Sequence, residues 1–335
     1  MIKVGVAGIG RVAEDTHIPA IRKIKEFKLV SAYDPVAARR RFGKDKHNID
    51  IFSDYDSFID SGLDLIVIAA PSCFHTELSL KAIGKVKGII IEKPIALTAK
   101  EADKIIKKAG RHGAFLSVHQ NRRWDADYLT VKKVVDEGAL GKLYTVESKC
   151  STFGSLIGYA VKEFDTAWRY KKCYGGGLLY DFGTHLIDQV LCMTKPRKIV
   201  SVWCNTKAVM WSKEVEDYFK LLVRFDDGLV AEIETSQVSC YPLPRWFILG
   251  NKGCLKCEDW NEPVKVTTVS DGNREKEILP KMASEEWYKF YENVRDCLVS
   301  GAKPLVRLEE VRRSAAVVDA ARRSAHLKHE IKVKL

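Results

Sequence analysis

Five short apolar, β-branched runs separated by helix-length segments constrain the first 120 residues of this chain more than any other feature. Residues 2–7, 29–33, 65–69, 88–91 (a buried run that reaches back to Val86) and 115–118 read as strands. Connections of that length are crossovers rather than hairpins, and crossovers make neighbouring strands run parallel. The expected fold is therefore α/β, opening with a doubly wound parallel sheet. Residues 125–137 follow as an amphipathic helix with Tyr128, Leu129, Val131, Val134 and Val135 inward, stopped by Gly138.

From Lys142 onward the pattern changes to longer alternating runs at 143–152, 199–209, 218–225, 229–237 and 246–249, with Asp227-Gly228 as a hairpin turn between two of them. A large, mostly antiparallel open sheet is expected there, and residues 284–299 and 308–325 close the chain as helices. A length of 335 residues suits two domains. The boundary falls at 1–122 and 123–335, with the helix at about 307–325 packing back on the first domain.

Hydrophobic content of 46% and charged content of 30% are those of a globular protein. The longest apolar stretches, such as 63–70, are strand-sized, and Met1 runs straight into a strand, so a cytoplasmic protein with no membrane span is expected. Nine cysteines without a secretory leader point to reduced thiols. Cys254 and Cys257 form the sole CxxC and read as strand residues, not a zinc site. The formal charge of +11 is scattered along the chain, which argues against a nucleic-acid partner; attraction of anionic small molecules or a solvated basic surface explains it.

Gly8, Gly10 and Ala13 form G-x-G-x-x-A between a strand and a helix, where a tight turn brings backbone N–H groups to a pyrophosphate at a helix N-terminus. Asp34 ends the second strand 24 residues past Gly10 and would accept from both ribose hydroxyls while repelling a 2′-phosphate, which favours NAD. Arg39, Arg40 and Arg41 on the next helix could receive such a phosphate instead, and Asp34 could also cap that helix ahead of Pro35. Ala70-Pro71 and Glu92-Lys93-Pro94 each follow a parallel strand, at the edge where open α/β sheets bind ligands. A lysine there can hold a substrate hydroxyl and stabilise a developing alkoxide; His75 reads as a helix-start residue near the cofactor.

The run 175–188 is expected to stack Asp181, His185 and Asp188 along one helical face at i, i+4 and i+7, behind three glycines that permit close approach. His185 suits a general base and Asp181 a group that binds substrate or biases the imidazole. Zinc is the rival reading of these three side chains, disfavoured because no further histidine or cysteine stands at ligand spacing.

In the order and spacing of the glycine turn, Glu92-Lys93-Pro94, and Asp181 with His185, the chain resembles the glucose-fructose oxidoreductase, inositol dehydrogenase and MocA family of NAD(P)-dependent oxidoreductases. The segment from His119 to Asp125 (HQNRRWD) and the run 175–189 look most like its scyllo-inositol dehydrogenase branch, although Asp34 departs from the NADP users there and the stretch between Cys257 and Ser284 looks short. The resemblance implies catalytic Lys93, Asp181 and His185, which with Arg122 would also bind substrate. A cofactor set follows: Gly8, Ile9, Gly10, Arg11, Val12, Asp34, Ala70, Pro71, His75, Glu92, Lys93, Gln120, Trp168 and Arg169, the last two near the nicotinamide. It implies NAD or NADP, a sugar or inositol substrate oxidised at a secondary alcohol, an active site between domains, no metal, and a homodimer or homotetramer formed through the second sheet. A non-catalytic regulatory protein on the same fold is the alternative.

Overall fold

The computed structural model of the protein describes residues 1–156, 160–270 and 272–333. Its described residues cluster into two units, each discontinuous in sequence. The first holds residues 1–120, 156–176 and 288–315; the second holds 121–155, 177–287 and 316–335. A single cut near residue 122 therefore does not describe them, because two later segments belong with the N-terminal sheet. The helix Leu308–Leu327 is divided at Ala315, so its first turns cluster with the first unit and the remainder with the second.

The first unit is built on a six-stranded parallel sheet: β1 (Ile2–Ala7), β2 (Phe27–Tyr33), β3 (Asp50–Phe52), β4 (Leu65–Ile68), β5 (Gly88–Ile91) and β6 (Phe115–Val118), in the order β3-β2-β1-β4-β5-β6. Every described pairing in it is parallel. The central strands β4 and β5 are buried along their whole length, as a sheet covered on both faces demands. The edge strand β3 has only three residues, Asp-Ile-Phe, and lacks the β-branched run that marks the other five. Strand order reverses between β1 and β4, and the residues following β1, β2, β4, β5 and β6 bring Gly8, Asp34, Ala70, Lys93 and Gln120 to one edge.

Nine strands form the sheet of the second unit: β7 (Leu143–Ser151), β8 (Ile199–Lys207), β9 (Tyr218–Phe225), β10 (Val230–Ser236), β11 (Trp246–Gly250), β12 (Gly253–Cys257), β13 (Lys265–Ser270), β14 (Asn273–Ile278) and β15 (Ile331–Lys332). Only β7 and β10 pair in parallel; the other described pairings are antiparallel, including the hairpin of β9 and β10 around Asp227-Gly228. Cys254 and Cys257 lie on β12. The stretch between Cys257 and Ser284, for which no strand was expected, carries β13 and β14, and the helix expected from 284 begins at Lys289. Val146, Leu221, Val223, Ile233, Trp246 and Ile248 are buried on one face, where the helix Phe182–Met193 packs on β7 and β10. The alternate positions carry an ion-pair lattice, Lys149 with Glu147 (2.5 Å) and Glu232 (3.0 Å), and Lys220 with Glu232 (3.0 Å) and Glu234 (3.2 Å).

Candidate active site

In the first unit the glycine turn passes so close to the neighbouring strand end that only glycine fits. Gly8 has φ +95°, and a Cβ on it would stand 2.9 Å from the Ala69 carbonyl oxygen. A Cβ on Gly10 would meet no protein atom within 4 Å. Helical backbone begins at Arg11, and the N–H groups of a first helical turn have no acceptor in their own helix. Backbone donors beside an open approach fit a nucleotide pyrophosphate. Gln120, 4% exposed after β6, has an Oε1 without a hydrogen-bond partner among the described residues, which gives the same edge an unmatched acceptor.

Ile9, between the two glycines, is held through both of its peptide groups. Its N–H donates to Asp34 Oδ2 at 2.9 Å, and its carbonyl accepts from Arg39 Nε at 2.8 Å and Nη2 at 2.5 Å. Asp34 Oδ1 accepts the Val36 N–H at 2.8 Å, but the N-cap of the helix Ala37–His47 is Val36 with no side chain bonded to its first turn, so Asp34 does not cap it as the sequence suggested. Burial raises the pKa of Asp34, against the opposing pull of these two N–H groups and of Arg39 and Arg40. Arg39 is 3% exposed and also pairs with Glu14 (3.6 Å) and Glu163 (3.5 Å), which removes it from the candidate receivers of a 2′-phosphate. Arg40, which donates to the carbonyls of Asp34 and Pro35, and the exposed Arg41 remain.

Two members of the expected cofactor set point into the protein instead. His75 opens the helix His75–Ala82, but its Nδ1 lies 2.7 Å from the Pro94 carbonyl and its Nε2 2.9 Å from that of Ala70. The ring thus sits between the loops after β4 and β5, donating from one nitrogen in the neutral form that burial favours. The Glu92 carboxylate is buried between His17 and His119, at 2.9 and 2.6 Å. Lys93, the next residue, is half-buried at the edge, as are Arg11, Val12, Ala70 and Pro71. Trp168 and Arg169 form a 3₁₀ turn with the Arg169 guanidinium 4.4 Å over the Trp168 ring. Gly175 (φ +71°) is wedged on Leu97 and Ser72, so the same segment is anchored to the loops after β5 and β4.

In the second unit the helix Phe182–Met193 starts one residue later than expected for its first carboxylate. Asp181 is the N-cap, with φ −80° and ψ −84°, and stands outside the helical repeat. Asp188, three residues past His185 on the same helix, makes a two-pronged ion pair with Arg123, at 2.6 and 2.7 Å. The helix also carries Phe182 and Gln189: the Phe182 and His185 rings meet edge to face at 6.1 Å, and Gln189 Nε2 donates to the Arg122 carbonyl at 2.6 Å. The glycines before it are required by protein packing, since a Cβ on Gly177 would lie 2.5 Å from the Glu216 carboxylate.

Arg122 carries its guanidinium between the rings of Phe182 (4.8 Å) and Trp260 (4.9 Å) and donates to Asp125 Oδ2 at 3.1 Å. Below it, the buried Arg245 donates to Ser148 (2.6 Å) and Gln189 (2.6 Å), pairs with Asp127 (3.1 Å) and lies 3.9 Å from the Trp260 ring centre. The second unit thus sets the ring of His185 against Phe182, which in turn meets the half-buried Arg122 guanidinium and Trp260. Trp260 and Arg245 were not candidates from sequence; neither stands in a motif, and Trp260 follows β12 in a stretch without periodicity. His17, His119 and Tyr291 were missed in the first unit, although His119 opens the HQNRRWD segment.

Among the described residues, no helix is long and apolar enough to cross a membrane.

Glycine turn, acidic strand end, strand-end lysine and helix-borne histidine define an oxidoreductase built on a Rossmann domain. The chain belongs to the Gfo/Idh/MocA family: residues 2–120 match its NAD-binding Rossmann domain and residues 128–256 its C-terminal domain. It is 26% identical to scyllo-inositol 2-dehydrogenase (NADP(+)) IolW of Bacillus subtilis, over 98% of this chain and 95% of that protein. It is 23% identical to the scyllo-inositol 2-dehydrogenase (NAD(+)) of the same organism, over 91% and 88%. A solved NAD-binding protein from Listeria innocua superposes with a TM-score of 0.86 at 26% identity, covering 99% of this chain and 96% of that one.

Asp125, 2% exposed, accepts from Arg122 and from Trp287 Nε1 (3.0 Å), yet burial and the neighbouring Asp127 push its pKa up to about 6. An unfolded aspartate titrates near 3.9. Between those values the native state binds the extra proton, so this group's contribution to stability falls as pH rises from about 4 through 6. Urea denaturation should show the stability of the wild type relative to Asp125→Asn declining by about 1 kcal/mol between pH 5 and 7. A difference independent of pH would mean that Asp125 is ionised throughout.

Proposed function

We propose that the protein is a dehydrogenase acting on a secondary alcohol of a sugar, sugar derivative or inositol, with NAD as the preferred nicotinamide cofactor. The observation that carries this reading is the setting of His185: a 6% exposed imidazole in the first turns of its helix, edge to face with Phe182, whose ring in turn meets the Arg122 guanidinium and Trp260. Polar donors interleaved with aromatic faces suit a ring that is hydroxylated at its rim and apolar on its face. The family relationship and the two inositol dehydrogenase relatives support the same class.

When bound, the nicotinamide takes the hydride from the carbinol carbon or returns it. His185 receives the proton of that hydroxyl, Lys93 donates a hydrogen bond to its oxygen and disperses the charge that builds there, and Asp181 orients substrate and imidazole. Arg122 binds substrate hydroxyls through the guanidinium donors that Asp125 does not take. Gly8, Ile9, Gly10, Arg11 and Val12 would hold the pyrophosphate, Asp34 the ribose hydroxyls, and Ala70, Pro71, Gln120, Trp168 and Arg169 the remainder of the nucleotide.

We further propose that two copies associate through the solvent-side face of the second sheet. Its lattice of alternating Lys149, Glu232, Lys220 and Glu234, with exposed Tyr144 and Trp203 nearby, offers both charges of a self-complementary contact.

Three measurements test these assignments. With a substrate identified from a panel of inositols, aldoses and nucleotide sugars, His185→Ala and Lys93→Ala should each lower turnover by about 100- to 10,000-fold with cofactor affinity nearly unchanged, and Asp181→Asn should mainly raise KM; near-normal turnover of His185→Ala from pH 6 to 9 would place the proton acceptor elsewhere. Titration should show NAD bound more tightly than NADP, and Asp34→Ser should shift the preference toward NADP; a wild type that favours NADP by about tenfold or more, roughly 1.4 kcal/mol, would assign the pocket to Arg40 and Arg41. Light scattering at micromolar concentration should report a dimer or tetramer, and a stable monomer would refute the sheet contact.

A further inference from the structure

Glu92 ends in a buried cluster that none of the assigned roles uses. Its Oε1 lies 2.9 Å from His17 Nε2 and 2.6 Å from His119 Nδ1, while its Oε2 accepts the backbone N–H of Lys93 at 3.2 Å. Behind it, His17 Nδ1 lies 2.6 Å from the Tyr291 hydroxyl. The His17 and His119 ring centres are 4.5 Å apart, and Phe290 meets His119 edge to face at 4.9 Å. Four parts of the first unit converge there: the turn Ala13–His17 after the glycine loop, the ends of β5 and β6, and the helix Lys289–Ser300.

Only one set of proton positions satisfies these atoms with neutral rings. A carboxylate donates nothing, so His119 presents Nδ1–H and His17 presents Nε2–H; His17 Nδ1 is then the acceptor of the Tyr291 O–H. Burial and the neighbouring His119 lower the pKa of His17, which suits this neutral form. Glu92 is fully enclosed, and although burial opposes its charge, His119 and His17 hold its carboxyl well below the usual range. The cluster therefore carries one negative charge, served by three N–H donors, one residue before Lys93. His17 from the first helix, His119 from the end of β6 and Tyr291 from the C-terminal helix are the titratable groups in contact with it, Lys93 follows it in sequence, and His75, whose pKa burial lowers, lies next on the Pro94 carbonyl.

We propose that Glu92, locked by His17, His119 and Tyr291, is a positioning residue for Lys93: its Oε2 holds the Lys93 backbone N–H, and its carboxylate keeps a negative charge on the adjoining residue that favours the ammonium form of Lys93. This rests on the reading of Lys93 as the residue that holds the substrate hydroxyl. His17 Nε2, Glu92 and His119 Nδ1, all within 4.8 Å of one another, are also a set that a metal ion could use. Ligation would need bonds of about 2.0–2.2 Å and the loss of both donated protons. The short N···O separations already complete the cluster without an ion.

Competitive acetylation of the whole protein with acetic anhydride, read by peptide mass spectrometry across pH, measures the titration of Lys93 without any substrate. Glu92→Gln should lower the Lys93 midpoint by about one unit, the scale of one lost neighbouring charge. His119→Phe, which removes a donor from Glu92 but leaves the carboxyl, should lower it by less, and His119→Gln, which retains an N–H, should restore most of that difference. A Lys93 midpoint unmoved in both Glu92→Gln and His119→Phe overturns the proposal; if Glu92→Gln does not fold, the His119 pair decides. Stoichiometric zinc or another divalent metal in the purified protein, lost in His119→Phe, overturns it in favour of a metal centre. Failure of the reading of Lys93 is separate: Lys93→Ala would then keep its turnover while the acetylation shift persists.

Discussion

The peptide groups of Ile9 bear the constraint on which the cofactor edge depends. The two glycines of the Gly-Ile-Gly loop are conformationally free, and ordering each residue costs about 1–2 kcal/mol of chain entropy. Asp34 takes the Ile9 N–H and Arg39 takes the Ile9 carbonyl, so both sides of that loop are held by side chains from the next strand and helix. Hydrogen bonds to charged partners contribute about 1.5–3 kcal/mol each when buried, enough to offset the ordering of the turn. Asp34 consequently has two tasks. It holds the Ile9 N–H in the glycine turn and the Val36 N–H ahead of the next helix, one on each carboxylate oxygen.

In the second unit, six consecutive residues, Arg-Arg-Trp-Asp-Ala-Asp from Arg122 to Asp127, send their charges in different directions. Arg122 pairs locally with Asp125, Arg123 reaches Asp188 on the helix Phe182–Met193, and Asp127 accepts from Trp246 Nε1 on β11 and pairs with Arg245. Each distant pair is nearly or fully buried, and deleting one partner would leave the other as an unmatched buried charge. The pairs tie that segment to both the helix and the sheet. Arg122 alone keeps a half-buried guanidinium with further donors, which is why it suits a ligand and Arg123 does not.

The parallel strands were legible because both of their faces are buried, so β-branched runs bounded by glycine, proline and aspartate mark them directly. β3 was not, since an edge strand of three residues carries no such run. The same holds for β13 and β14, where polar residues alternate with few large apolar ones. Motif spacing singled out His185 and Lys93 as candidates, but could not say which way neighbouring side chains turn. The expected stack began at Asp181, which caps the helix instead of standing in it; His185 and Asp188 are both helical and three residues apart, and the partner of Asp188, Arg123, was not visible from spacing. Glu92 and His75 looked like ligand-binding groups from their place after strands; their actual partners, His17, His119 and two backbone carbonyls, are brought together only by packing.

Three buried carboxylates show how donor supply decides charge in this fold. Glu92 receives three N–H groups, and its carboxyl stays well below the ordinary range despite complete enclosure. Asp34 receives two backbone N–H groups with Arg39 and Arg40 near, and burial still moves it upward. Asp125 has one guanidinium contact and one indole N–H, with Asp127 close by, and rises to about 6. A carboxylate with a full set of donors is locked in one charge state and can only position its neighbours. One with an incomplete set, adjoining a half-buried arginine, remains able to change charge near neutrality, and that places the variable electrostatics of this protein beside Arg122 rather than beside Lys93.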